Sequence, residues 1–347
     1  HEEISDASLL FTWEGTRPDL EPIALLAHQD VVPIAAGTEN DWEHPAFDGF
    51  DDGEFIWGRG ALDMKNHLIA VIQTVETLLG EGFKPERTVY LCFGHNEEIV
   101  ASENSGAGSI AAVLEERGVK LDSVIDEGGA ILNVDVPKIL KTKLAGIGIA
   151  EKGSAFVDIA AKGKGGHASA PPARQSVGLL ARALDRLASH PMPFAMTPPA
   201  AEMFDLMGRH STFALKLVFA NLWCFRPVLN MICKASGGEM NALVRTTCAL
   251  TRLTGADAYN VLPNESRAGV NVRVICGETV SQAQARMEHI INDQDVTVTV
   301  VDGNDPSPIS PTNAEPWERL STAIRQTYPG VLVSPYLMLA CSDSRHY

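Results

Sequence analysis

Three short apolar runs in the first 130 residues each end in a cluster of histidine and acidic residues, and this repeated ending constrains the fold more than any other feature. Residues 22–27 run into His28-Gln29-Asp30, residues 88–93 into His95-Asn96-Glu97-Glu98, and residues 123–125 into Asp126-Glu127-Gly128-Gly129. Short apolar runs bounded by polar residues and glycines read as buried strands. Between them lie helical patterns at 66–79, with Leu68, Val71, Ile72, Val75 and Leu78 at helical spacing before Gly80, and at 108–116, closed by Gly118. Strands alternating with helices predict an α/β domain on a central, mostly parallel sheet. In such sheets ligands bind at the carboxyl ends of the strands, so the three polar clusters are expected to meet in one crevice.

From Lys152 the pattern changes. A strand at 155–161, a glycine-rich stretch at 163–167, a helix at 176–189, an irregular apolar segment reaching 242, strands at 246–253 and 269–275, a helix at 281–292 and an alternating strand at 296–301 read as an α+β insert. After a proline-rich link at 305–311, a helix over 315–328 and a strand near Leu332 read as a return to the first domain. Single cores seldom grow beyond about 250–300 residues, which also favours two domains. The expected organisation is a catalytic domain beginning at 1–150, a lid or dimerisation domain at 151–303, and a catalytic return segment at 304–347.

Against 28 Lys+Arg stand 44 Asp+Glu, a net charge of -16 that repels phosphate backbones and anionic headgroups and argues against a nucleic-acid partner. The most apolar long stretch, 213–233, is interrupted by Lys216, Asn221 and Arg226, so it reads as a buried or interface helix pair and not a membrane span. Six cysteines without a CxxC pair are expected as free thiols. No signal peptide opens the chain, and any targeting segment or membrane anchor is expected outside it.

Each polar cluster has a chemical and a bland reading. His28 with Asp30 two residues on can bind a metal through the imidazole while the acid orients it, or can be a hydrogen-bonded pair. Asp63 follows Gly58 and Gly60, which permit close backbone approach, and precedes a helix; it can be a ligand or a helix cap. Neighbours on an extended chain point apart, so of Glu97 and Glu98 one can hold metal while the other faces substrate as a general base. Asp126 can join His28 at one metal, with Asp63 bridging to a second held by Glu98. Oxygen-rich ligation with few imidazoles suits zinc, and also cobalt or manganese.

The segments LLAHQDVVP, WEHPAFDGF, IWGRGALDMKN, FGHNEE, VIDEGG, EKGSAF, GGHASAPP, NALVRTT, YNVLPNESRAGVNVR and SDSRHY are collinear over nearly the whole chain. In them the chain resembles the carboxypeptidase S and N-fatty-acyl-amino-acid synthase/hydrolase branch of the zinc metallopeptidases that also include aminoacylases. The resemblance implies two zinc ions per active site: His28 and Asp126 on one, Glu98 on the other, and Asp63 bridging. It implies Glu97 as general base, Asp30 as supporting acid, and a cis peptide bond after Asp63. In the insert it implies His167 polarising the scissile carbonyl, often in the partner subunit's site, with Asn241, Asn260 and Arg273 near the substrate and Arg273 forking onto its carboxylate.

The chain also departs from the family pattern. Asn96 stands where the family usually has Asp, and the glycine after the glutamate pair is replaced within the longer IVASENSGAG. The last zinc ligand of the family is a histidine well beyond the motif containing His346, so the chain reads as shortened at both ends.

The implied activity is cleavage, or reversible formation, of the amide bond of C-terminal peptides or N-acyl amino acids. The partners implied are that small substrate and a second copy joined through the lid domain, in a vacuolar, lysosomal or secretory location. Two readings stand beside it: an inactive, binding relative, and a dipeptidase or aminopeptidase of the same superfamily. An aminopeptidase would need an acid for the free amine, whereas Arg273 suits a carboxyl end.

Overall fold

The computed structural model describes residues 1–99, 105–136 and 140–347. These fall into two compact units, His1–Gly128 with Ser342–Tyr347, and Gly129–Cys341. The boundaries expected at 150/151 and 303/304 both lie inside the second unit.

The first unit runs β1 (Glu2–Ile4), β2 (Ser8–Trp13), β3 (Ile23–His28), a short hairpin of β4 (Phe50–Asp51) and β5 (Ile56–Trp57), α1 (Asn66–Gly80), β6 (Val89–Gly94), α2 (Gly106–Glu116) and β7 (Ser123–Ile125). Its sheet has the order β1-β2-β6-β3-β7. Strands β6, β3 and β7 are parallel, and β2 and β1 extend the sheet antiparallel. His28 pairs in register with Gly94, so β3 and β6 end side by side.

Alternation along β6 explains why the strand is apolar throughout. Cys92 packs with Leu10 and Leu26 against Ile110 and Leu114 of α2, while Leu91 and Phe93 pack with Met64 and Val71 on the α1 side. A sheet covered on both faces buries every side chain of its inner strands.

The second unit contains β8 (Ala130–Val136), β9 (Leu140–Glu151), β10 (Gly153–Lys162), β11 (Gly166–His167), α3 (Ser176–Ser189), α4 (Pro198–Arg209), α5 (Phe213–Ala220), α6 (Leu222–Ser236) and α7 (Gly238–Ala242). It continues with β12 (Thr247–Thr254), β13 (Val261–Leu262), β14 (Glu265–Val274), α8 (Val280–Ile291), β15 (Val296–Asn304), α9 (Glu315–Thr327) and β16 (Leu332–Met338). An antiparallel sheet of order β12-β14-β10-β15 buries Val157, Ile159, Val270 and Val272 against Leu179 and Leu180 of α3 and Met287 and Ile291 of α8. A capping box of Thr279 and Gln282 starts α8.

A further sheet, β16-β9-β8, pairs β16 parallel to β9. Its strands β8 and β9 went unread in the sequence because glycines and lysines interrupt their apolar pattern. A Cβ on Gly146 would meet the Tyr336 ring at 3.3 Å, so the missing side chain makes room for an aromatic one. The segment after α3 holds four helices: α5 and α6 form the helix pair expected at 213–233, and α4 and α7 stand on either side of it where the sequence promised irregular structure. Pro198 and Pro199 open α4, where absent N–H groups cost nothing, and Pro227 lies inside α6.

Candidate metal centre

His28, at the end of β3, has its side chain 1% exposed. Its Nδ1 lies 3.0 Å from the Asp30 backbone oxygen and 3.5 Å from Asp30 Oδ1. Nδ1 therefore carries a proton and donates it to the carbonyl, which leaves the Nε2 lone pair facing the other way. Nε2 sits 3.0 Å from Asp63 Oδ1 and 3.9 Å from Glu127 Oε2. A lone pair and a carboxylate oxygen at that distance repel unless a proton or a metal cation lies between them. Burial lowers the His28 pKa, but Asp30, Glu127, Asp63 and Glu97 outweigh it and raise it to about 10.

Asp63 reaches His28 from a tight turn, residues 61–65, ahead of α1. Gly60 enters this turn at φ 83°, and a Cβ there would lie 2.3 Å from Val31 Cγ1, so glycine is needed on both counts. The Asp63–Met64 peptide is cis. Met64 Sδ accepts the His28 N–H at 3.2 Å, and Lys65 Nζ donates to the Gln29 carbonyl at 2.6 Å, tying the turn to the end of β3.

Asp30 holds the glutamate pair. Its Oδ1 accepts the Glu97 N–H at 3.1 Å and its Oδ2 the Glu98 N–H at 3.0 Å. Burial raises the Asp30 pKa, but His28 and these two N–H groups outweigh burial and lower it, so Asp30 stays ionised. The remaining carboxylates move upward. Burial, then Asp343, pushes Glu97 up to about 7 against the pull of Arg345, whose Nη1 is 3.9 Å away. Burial and then Asp126 raise Glu127 to about 8, and burial and then Asp63 raise Glu98. Burial followed by Asp126 takes Asp343 to about 7.

The donor atoms of His28, Glu97 and Glu98 lie within 4.8 Å of one another, as do those of His28, Asp63 and Glu127. Crowded carboxylates around one imidazole whose Nε2 points into them make a donor set that fits a divalent metal ion. Such a cation would relieve the repulsion that raises the acids.

The neighbours Asp126 and Glu127 take different partners. Asp126 was expected on a metal with His28, yet its Oδ2 accepts the Ser344 N–H at 2.8 Å and its side chain also bonds Ser342. Glu127 Oε2 lies 3.9 Å from His28 Nε2. Ordinary strand alternation allowed either neighbour; the turn at 342–344 claims the first and leaves the second for the cluster. Two more contributors, Asp343 and Arg345, went unnoticed as site residues. Gly94 was their available signal, because a Cβ there would lie 2.6 Å from Asp343 Oδ2.

The other departures have plain structural accounts. Asn96 Oδ1 accepts the Gly106 N–H at 2.7 Å at the start of α2, a service that Asp would render equally. The IVASENSGAG loop lies partly outside the described residues, at 100–104. His346 Nε2 contacts Ser105 Oγ at 3.2 Å.

The residues expected to touch substrate lie in the second unit. His167, exposed on β11, accepts the Ser169 N–H on Nδ1 at 3.2 Å, with Ser169 Oγ 2.8 Å from the same nitrogen. Asn260 accepts the Ala168 N–H on its backbone oxygen at 3.0 Å. Asn241, in α7, has a buried side-chain oxygen with no hydrogen-bond partner among the described residues. Arg273, on β14, donates from Nε to Asn271 Oδ1 at 3.1 Å and from Nη1 to Cys341 Sγ at 3.2 Å. All six cysteines are free.

Comparison with known proteins agrees with this geometry. The sequence pattern of Peptidase family M20/M25/M40 matches residues 24–347. The chain is 35% identical over 346 residues to the probable carboxypeptidase S-like 2 of Dictyostelium discoideum, covering 99% of this chain and 66% of that one. It is 37% identical to the N-fatty-acyl-amino acid synthase/hydrolase of Mus musculus, covering 100% and 68%, and 31% identical to carboxypeptidase S of Saccharomyces cerevisiae, covering 100% and 66%. The chain thus spans about two thirds of the length of the curated relatives it matches. Among solved structures, an M20 family metallo-carboxypeptidase from Sulfolobus solfataricus has a TM-score of 0.64 at 17% identity over 99% of this chain and 76% of that one. Human carnosine dipeptidase 1 has 0.61 at 13% over 98% and 73%, and both likenesses show a shared fold. With its strand-end cluster and its match over nearly the whole length, the chain belongs to Peptidase family M20/M25/M40, a family of metallopeptidases.

Proposed function

We propose that the chain carries the reaction centre of a zinc-dependent amidohydrolase, cleaving or reversibly forming the amide bond of N-acyl amino acids or of a peptide's C-terminal residue. The observation that carries this reading is the placing of His28 Nε2 beside Asp63 and Glu127, with donor atoms of Glu97 and Glu98 within 4.8 Å of the same imidazole and both glutamates held by Asp30 through their backbone. In this reading His28, Asp63, Glu98 and Glu127 hold two zinc ions, with cobalt or manganese as substitutes. When bound, the metal would supply Lewis-acid polarisation of the scissile carbonyl and of water.

Glu97 supplies the proton traffic. An ionised Glu97 takes a proton from water and returns it to the departing nitrogen. Ionised Asp30 keeps both glutamates in place and holds the His28 ring by its backbone carbonyl, so the ligand and the base share one support.

In the second unit, His167 accepts on Nδ1, so the proton lies on Nε2, which suits donation to a carbonyl oxygen. Arg273 makes no ion pair with an acid among the described residues, which favours its use on a substrate carboxylate. Pairing of two copies through the antiparallel sheet, whose edge strands are β12 and β15, belongs to the same proposal.

The test is turnover of a panel of N-acyl amino acids and N-blocked dipeptides by the full-length protein, followed by mass spectrometry, beside Glu97→Gln. The variant should keep its zinc and lose turnover by roughly 10²–10⁴-fold. Loss of zinc together with turnover would make Glu97 a ligand. A zinc-loaded protein that turns over no panel member would remove the proposed substrate class.

A further inference from the structure

The inner row of α6, with Leu222, Leu229 and Cys233, packs on Phe204, Val244 and Leu337. A helix that buries one row ordinarily turns polar residues outward. Here the outer face is apolar as well. Trp223 is 81% exposed and Phe213, at the start of α5, 77% exposed, and Leu217, Val228, Met231 and Ile232 are exposed beside them. Contiguous apolar surface of this kind marks a face that something covers.

Charge selects the cover. Residues 206–238 contain no Asp or Glu, so all 44 acidic residues of the chain lie outside this stretch, which carries Arg209, Lys216, Arg226 and Lys234. Arg209 is paired with Asp205, and Arg226 donates to the Phe194 carbonyl with its guanidinium over the Phe194 ring. Lys216 and Lys234 are exposed on the same two helices. At physiological salt charges are screened over about 8 Å, so this patch meets a partner on its own terms despite a net charge of -16.

We propose that the outer face of α5 and α6 docks on an anionic lipid bilayer surface. Exposed Trp and Phe enter the acyl boundary while the lysines reach the headgroups. A two-fold contact with a second copy would set this positive patch against its own copy, with no acid in 206–238 to offset it. Among the described residues no helix is long and apolar enough to cross a membrane, so the helices would lie in the interface. The inference is independent of the proposed reaction.

Co-sedimentation of the protein with phosphatidylcholine vesicles, with and without phosphatidylglycerol, at physiological salt tests it. Binding is expected to the anionic vesicles, weakened about five-fold for each lysine neutralised in Lys216→Gln and Lys234→Gln, and lost in Trp223→Ser. Circular dichroism checks each variant's fold, and the lysine variants, altered only on the surface, carry the test if Trp223→Ser misfolds. No binding to anionic vesicles would overturn the proposal. So would unchanged binding by the double lysine variant, or self-association without lipid that the Trp223 change abolishes.

Discussion

Lys152 offers a measurement that isolates one buried charge. It sits between β9 and β10, 1% exposed, with Nζ donating to the Arg245 carbonyl at 2.9 Å and the Ala242 carbonyl at 3.1 Å. Burial first, and the Arg273 charge second, lower its pKa to about 7 from the ordinary 10.5. Above 10.5 the amine is neutral in both states and contributes no pH dependence. As pH falls below that, the unfolded chain takes up a proton that the folded chain refuses, and stability drops by about 1.4 kcal/mol per pH unit until the folded amine protonates near pH 7. Between pH 9 and pH 7 the loss is about 2 kcal/mol.

Lys152→Met removes this slope. It also strips two carbonyls of their donor, at about 1–3 kcal/mol each, but that loss does not vary with pH. The observable is the difference in unfolding free energy between wild type and variant, from urea titrations at pH 7, 8 and 9. Titrating groups that do not interact with Lys152 cancel in it. The difference should shift by about 2 kcal/mol in favour of wild type as pH rises. A difference constant to within about 0.5 kcal/mol would mean that Lys152 is charged in the fold and that burial does not govern its titration.

Other consequences can be checked with metal analysis and denaturation. Glu127→Ala should lower bound metal as measured by elemental analysis, whereas Asp126→Ala should keep it and lose about 1–3 kcal/mol of stability through the stranded Ser344 N–H; the reverse outcome would restore Asp126 as the ligand. Asp30→Asn replaces one of the two acceptors under Glu97 and Glu98 by a donor, and should weaken metal affinity roughly 10–100-fold in competition with a chromogenic chelator. Removing metal with a chelator should lower the melting temperature, because the crowded carboxylates lose their counter-charge, and adding zinc back should restore it.

Much of the centre was legible because its members lie next to each other along the chain. His28 with Asp30, and Glu97 with Glu98, stand at the ends of apolar runs, and a parallel sheet brings such ends together wherever its register is set. Asp63 was legible from its glycines, since Gly60 occupies a backbone region that other residues rarely adopt. The pair α5 and α6 was legible from its apolar run, whereas α4, which opens on two prolines, and the five-residue α7 give too little periodicity to read.

Between Asp126 and Glu127 the choice lay outside local sequence altogether. Both acids follow the same strand, and either could have faced His28. What decided was a hydrogen bond to Ser344, 218 residues further on, which satisfies Asp126 and turns Glu127 to the cluster. The same return of the chain places Asp343 against Gly94 and Arg345 near Glu97. The sequence by itself thus determined which polar groups lie at the strand ends. Tertiary structure decided which of them face one another, because a buried polar group takes its orientation from the partner that satisfies it, and that partner is often remote in sequence.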